Sequence, residues 1–194
     1  PANNGTALTA TCTGVETGGS VTIPGYTCAA ESGNTVVCSG TAGNGAGQVG
    51  GDATATTADA AGNTTTSTAA FTLDNTAPTG AVCEVTPDPA STGTQVTATC
   101  TGVETGATVT IPGYSCGVES GNEVTCTATA GENGVDGDEL ATIADAAGNT
   151  ATTPAAFTLD DTAPTGAVCN VTPDPANTGT ALTATCTGVE TGAT

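Results

Sequence analysis

Nine cysteines and 19 carboxylates are the reactive side chains of this 194-residue chain, which contains no Lys, Arg, His, Met or Trp. Without imidazole there is no histidine general base, no histidine metal ligand and no Ser-His-Asp or Cys-His nucleophile. Without lysine there is no Schiff base and no P-loop lysine to grip a phosphate. Thiols, hydroxyls and carboxylates remain. Paired carboxylates can in principle hydrolyse a glycoside, but two Tyr and two Phe give a sugar ring little to stack on, and no enzyme is expected. A net charge of −19 repels phosphate backbones and anionic head groups, so neither nucleic acid nor a membrane surface is an expected partner. No apolar run approaches the ~20 residues of a membrane span.

The cysteines recur with an internal repeat, and one full copy carries Cys83, Cys100, Cys116 and Cys126. Four cysteines allow three connectivities, and spacing alone does not choose among them. Strand geometry helps. Reading Ser120-Gly121-Asn122 as a three-residue hairpin loop sets Cys116 opposite Cys126 and Val118 opposite Val124, at the separation a cross-strand bridge needs. Cys83 then pairs with Cys100. The same rule gives Cys28–Cys38 and Cys169–Cys186, and leaves Cys12, whose partner is expected upstream of Pro1. Free buried thiols or a four-cysteine zinc site are the alternatives, but zinc favours Cys-x-x-Cys knuckles, and none is present. Disulfides imply an oxidising compartment, hence an extracellular or cell-surface location.

Among the carboxylates, Asp59 and Asp145 fall in ADAAGNT segments, while Asp74, Asp160 and Asp161 fall in the segments that follow. Hard oxygen ligands from loop, linker and backbone carbonyls suit Ca²⁺, the one candidate cofactor. The competing reading is turn chemistry, in which Asp and Asn side chains bond nearby backbone amides. Asp136, Asp138 and Glu139 cluster, but the aligned positions of the other copy are Gly50, Asp52 and Ala53, so a solvated loop is the expectation there. Glu16 and Glu104, in TGVETG, read as turn residues.

Positioning these groups is the work of strands. PANNGTALTATCTGVETGGSVTIPGYTC begins at Pro1, PASTGTQVTATCTGVETGATVTIPGYSC at Pro89, and PANTGTALTATCTGVETGAT at Pro175. The two spacings differ by two residues, a change that falls in the Gly-rich stretch between Cys38 and Asp59, as expected of a surface loop. A repeat of this length matches one small β-sandwich per copy rather than one coil of a solenoid. With joints at FTLDNTAPTG and FTLDDTAPTG, the division is a first repeat at 1–76 lacking its first strand, a complete repeat at 77–162, and the start of a third at 163–194. Alternation and turn residues place strands of the complete repeat at 81–85, 95–100, 108–111, on both sides of 120–122, at 140–145 and at 155–159. In the second of these, Val96, Ala98 and Cys100 face inward and Thr97 and Thr99 outward. The fold class expected is all-β, tandem immunoglobulin-like sandwiches with disulfides inside each domain.

At TCTGVETGATVTIPG, IADAAGNTAT and FTLDDTAPTG, the sequence resembles the bacterial immunoglobulin-like (Big-type) tandem repeats of large surface adhesins. The resemblance implies a stalk or fibre that holds a terminal module away from the cell, with calcium stiffening the joints. Partners are then copies of the chain itself or neighbouring repeats. The alternative is an adhesive module that itself binds a glycan or a surface protein.

Overall fold

Threonine alternating with valine or alanine, as in Gln95-Val-Thr-Ala-Thr-Cys-Thr101, suits a pleated surface with one dry face. The computed structural model describes residues 1–189, and among them there is no helix. The first repeat contains β1 (Ala7–Thr13), β2 (Ser20–Thr22), β3 (Thr27–Cys28), β4 (Thr35–Thr41), β5 (Thr54–Ala58) and β6 (Thr64–Thr68). The second contains β7 (Val82–Thr86), β8 (Gln95–Thr101), β9 (Thr108–Thr110), β10 (Ser115–Cys116), β11 (Glu123–Thr129), β12 (Asp138–Ala144) and β13 (Thr150–Ala156). Two more strands follow, β14 (Val168–Thr172) and β15 (Thr183–Thr187). The chain divides into two units, Pro1–Leu159 and Asp160–Thr194.

In the second repeat one sheet runs β10-β11-β8-β7 and the other β13-β12-β9. Both contribute to a single core of small side chains. Val96, Cys100 and Val124 come from the first sheet, Val109, Ala141 and Ile143 from the second. The first repeat copies this plan with β1-β4-β3 and β2-β5-β6, closing on Val21, Val36, Cys38 and Ala55. Two isolated parallel bridges, Ala2 to Leu73 and Ala90 to Leu159, tie the early part of each repeat to its final segment. In the second, the Ala90 N–H donates to the Thr158 carbonyl at 2.9 Å. In the unit from Asp160 onward, β14 and β15 form a two-stranded sheet whose strand residues are all exposed.

The four expected bridges are present: Cys28–Cys38, Cys83–Cys100, Cys116–Cys126 and Cys169–Cys186. Cys12 is a half-buried free thiol. The hairpin that aligns Cys116 with Cys126 differs in detail from the expected three-residue loop. Ser120 and Glu123 exchange backbone bonds, and Gly121 and Asn122 both sit at φ 64, which makes a two-residue turn of the primed type. Val118 does not pack beside Val124. It is 90% exposed: the regular register ends at Cys116, and Gly117 still donates its N–H to the Thr125 carbonyl at 2.9 Å before the chain turns out of the sheet.

The last strand also differs from the expected 155–159. β13 begins at Thr150 and contains Pro154, which lies opposite Leu140. A proline discourages a strand assignment, but β13 is an edge strand, where a missing N–H costs no ladder bond. In β12 the alternation places Glu139, Ala141 and Ile143 inside and Leu140 outside.

Candidate functional site

Asp145 opens a loop that folds around its own carboxylate. Oδ1 accepts the Ala147 N–H at 2.8 Å and the Asn149 N–H at 2.9 Å, while Oδ2 accepts Asn149 Nδ2 at 2.8 Å. Asp59 makes the same three bonds to Ala61 and Asn63. Such a set favours the ionised form, and both carboxyls are held below their ordinary range, first by the Asn side-chain bond. Asp74 and Asp160 each accept an amide two residues on, from Thr76 and Thr162, and Asp161 is also engaged. In both Asp-x-x-Gly-Asn loops, at Asp59 and Asp145, the aspartate side chain makes turn bonds of this kind.

The loop at 145–149 meets the segment that enters its repeat: Asn149 Nδ2 donates to the Asp74 carbonyl at 3.0 Å. On the first-repeat side, the Asp74 N–H donates to the Ala2 carbonyl and the Asn4 N–H to Asn75 Oδ1 at 2.7 Å. Ala147 is buried in this loop, whereas its counterpart Ala61 is exposed. The joint between the first two repeats is thus a hydrogen-bonded seam.

A second repeated device went unread in the sequence. Glu119 bridges two turns, accepting the Gly106 N–H on Oε2 at 3.0 Å and the Asn122 N–H on Oε1 at 2.8 Å. Asn122 Nδ2 donates in turn to the Val103 carbonyl. Glu31 and Asn34 repeat the arrangement on Gly18 and Val15. The signal available was the doubled phrase Glu-Ser-Gly-Asn at 31–34 and 119–122. Glu16 and Glu104 sit in the turns so clamped, where their own carbonyls accept Gly19 and Ala107. Glu119→Ala is expected to lower the melting temperature by several degrees, with Glu84→Ala on the exposed face of β7 as the silent control in circular-dichroism melts.

Asp136, Asp138 and Glu139 are the group of three carboxylates, among the described residues, with ligand atoms within 4.8 Å of one another. The solvated loop expected here is half right. Asp136 and Asp138 are exposed, but Glu139 is 6% exposed because the β12 alternation turns it inward. Its Oε1 accepts the Asp136 N–H at 2.7 Å and the Gly137 N–H at 3.3 Å, while Oε2 is buried without a partner. The oxygen set has the chemistry of a hard-cation ligand group. The Tyr114 hydroxyl is likewise buried and unpartnered. Desolvation, and secondarily the Glu139 charge, pushes it up to about 12.

These shifts set the pH response. Asp59, Asp145 and Glu119 stay ionised to lower pH in the folded chain than in the unfolded one, so their contribution is complete above about pH 4.5 and is lost as the pH falls through the lowered folded values. Tyr26 and Tyr114, both raised by burial, contribute fully below about pH 10 and lose that contribution as the pH rises toward the folded value. Denaturant midpoints are expected to fall at both extremes, with Asp145→Asn flattening the acid limb.

No protein-family model matches the chain, and no curated protein does. Among solved structures it is similar to the Bacteroides ovatus mixed-linkage glucan utilization locus (MLGUL) SGBP-B in complex with mixed-linkage heptasaccharide, at 15% identity and a TM-score of 0.26. The match covers 87% of this chain and 44% of that one, so the chain spans less than half the length of that protein. A likeness this distant says nothing of what the chain binds.

Proposed function

We propose that this chain is a structural repeat region of an extracellular fibre or adhesin stalk on a bacterial cell surface. The observation that carries the reading is the seam at the first joint, where Asn149 grips the Asp74 carbonyl and Asn75 grips Asn4. Two copies of one small sandwich are joined there by a short segment with little freedom to swing. Disulfides inside the repeats support an oxidising exterior, and carboxylates without a single basic side chain keep neighbouring repeats soluble and mutually repelling.

The test is X-ray scattering of the chain with calcium and then with chelator, beside Asn149→Ala. An elongated particle that loses extension in Asn149→Ala supports the seam as the stiffening element. Elongation lost only in chelator assigns the stiffness to metal at the aspartates instead. A compact particle in both conditions overturns the stalk.

A further inference from the structure

Glu139 occupies a seat that the fold reserves for apolar side chains. The β12 alternation turns it inward with Ala141 and Ile143, and the aligned residue of the first repeat is the buried Ala53. A carboxylate placed there loses its water shell, a cost that proteins offset by pairing the charge or by coordinating a metal. No side chain of this protein can supply the opposite charge, because there is no Lys, Arg or His. Glu139 Oε1 is fixed by the Asp136 and Gly137 N–H groups. Oε2 is buried as well and finds no partner among the described residues.

Two further carboxylates meet it. The ligand oxygens of Asp136, Asp138 and Glu139 lie within 4.8 Å of one another. Calcium takes oxygens at about 2.3 to 2.6 Å, which sets ligands on opposite sides of the ion roughly 5 Å apart and neighbouring ones closer. The three carboxylates therefore have the spread that one such ion spans. Their backbone is held in advance. Val135 is buried on one side of the loop, and the Gly137 carbonyl accepts the Phe157 N–H at 3.0 Å on the other. Asp138 and Glu139 are fixed opposite Ala156 and Ala155 in the β12–β13 register. Of the three, the first repeat keeps only Asp52, with Gly50 and Ala53 at the other positions.

We propose that Asp136, Asp138 and Glu139 form a calcium site in the second repeat, with Glu139 as the buried ligand and the two aspartates as ligands on the solvent side. Water and backbone oxygens fill the rest of a shell of about six to eight oxygens. Magnesium suits the place less well. It demands a near-octahedral shell at about 2.0 to 2.1 Å and sheds its water reluctantly, whereas a buried carboxylate oxygen must bind the ion directly. Calcium bound here supplies the positive charge that the chain lacks and ties the loop before β12 to the strand itself. The site is separate from the aspartates of the joints. It does not rest on the stalk reading, since it concerns the interior of one sandwich.

The test uses the full chain and terbium(III), a calcium surrogate whose emission is sensitised by a nearby tyrosine. Tyr114 is the reporter, because its buried hydroxyl lies close enough to feel the Glu139 charge, and there is no Trp to compete. Tyrosine-excited emission is expected to saturate, and to vanish in Tyr114→Phe but not in Tyr26→Phe. Calcium should displace the terbium at a concentration at least about tenfold below that of magnesium. Asp138→Asn, an exposed change, is expected to weaken binding at least about tenfold through the lost ligand charge, while Asp52→Asn, its counterpart in the first repeat, leaves binding unchanged. Calcium should also raise the melting temperature of the wild type above its value in chelator, and fail to do so in Glu139→Gln. Emission that follows Tyr26, or that survives Asp138→Asn and Glu139→Gln at full strength, would reduce the terbium to ions scattered over an acidic surface and overturn the proposal. Equal displacement by magnesium and calcium would overturn it too. So would a Glu139→Gln protein more stable than the wild type by the same margin in calcium and in chelator, since the seat would then ask only for a neutral side chain.

Discussion

Replacing Cys83 and Cys100 together by alanine is expected to lower the stability of the second repeat by about 3 kcal/mol, the loop-closure value for a bridge of this span. The bridge closes 17 residues and Cys116–Cys126 closes 10. The effect is large because the core is thin. Its largest fully buried side chains are isoleucine and valine, and a small domain has only about 5 to 15 kcal/mol in hand. In urea unfolding, the double substitution is expected to lower the midpoint of the second repeat. Unchanged midpoints would mean that packing alone holds these sandwiches.

Gly137→Ala is expected to be the most damaging single change of a small residue, above about 2 kcal/mol. Gly137 sits at φ +104, outside the range that side-chain-bearing residues tolerate. An added Cβ would land on the carbonyl oxygen of Phe157, whose N–H donates to Gly137 in return at 3.0 Å. The copies provide a graded series. Gly51→Ala, at φ +106, would bring a Cβ to 3.1 Å from the Phe71 carbonyl and should cost less. Gly134→Ala, at φ +78 with nothing within 4 Å, should cost only the backbone strain of about 1 to 2 kcal/mol. Thermal melts of the three variants check the order, and a Gly137→Ala protein as stable as Gly134→Ala would remove the contact as its cause.

Disulfide pairing was legible because alternation and a glycine-asparagine turn fix which cysteines face each other, and both signals are local. The start of the last strand was not. Pro154 argues against pairing unless the strand is known to lie on an edge, and edge position is a property of the whole sheet. Glu139 shows the same limit: a charge beside Leu140 reads as the outward partner, yet the register of β12 on β13 turns the leucine out. The 145–149 loop is bonded to the preceding segment through Asn149 and Asp74, a contact between residues 75 positions apart that no local signal announces. The Glu119 clamp joins turns 13 residues apart, and only the doubled phrase hinted at it.

The parallel bridge between Ala90 and Leu159 acquires another meaning when the repeat is pulled from its two ends. A parallel pairing near opposite termini is loaded along the strands, so its bonds must slip together rather than open one at a time. Should the clamp give way, the two bridges still withhold stretches of 17 and 10 residues from extension. At about 3.4 Å per extended residue that is roughly 90 Å of contour that cannot pay out. A repeat built this way would yield under force in a short, bounded step and keep its β7–β8 and β10–β11 cross-links as the folded remnant from which it recoils.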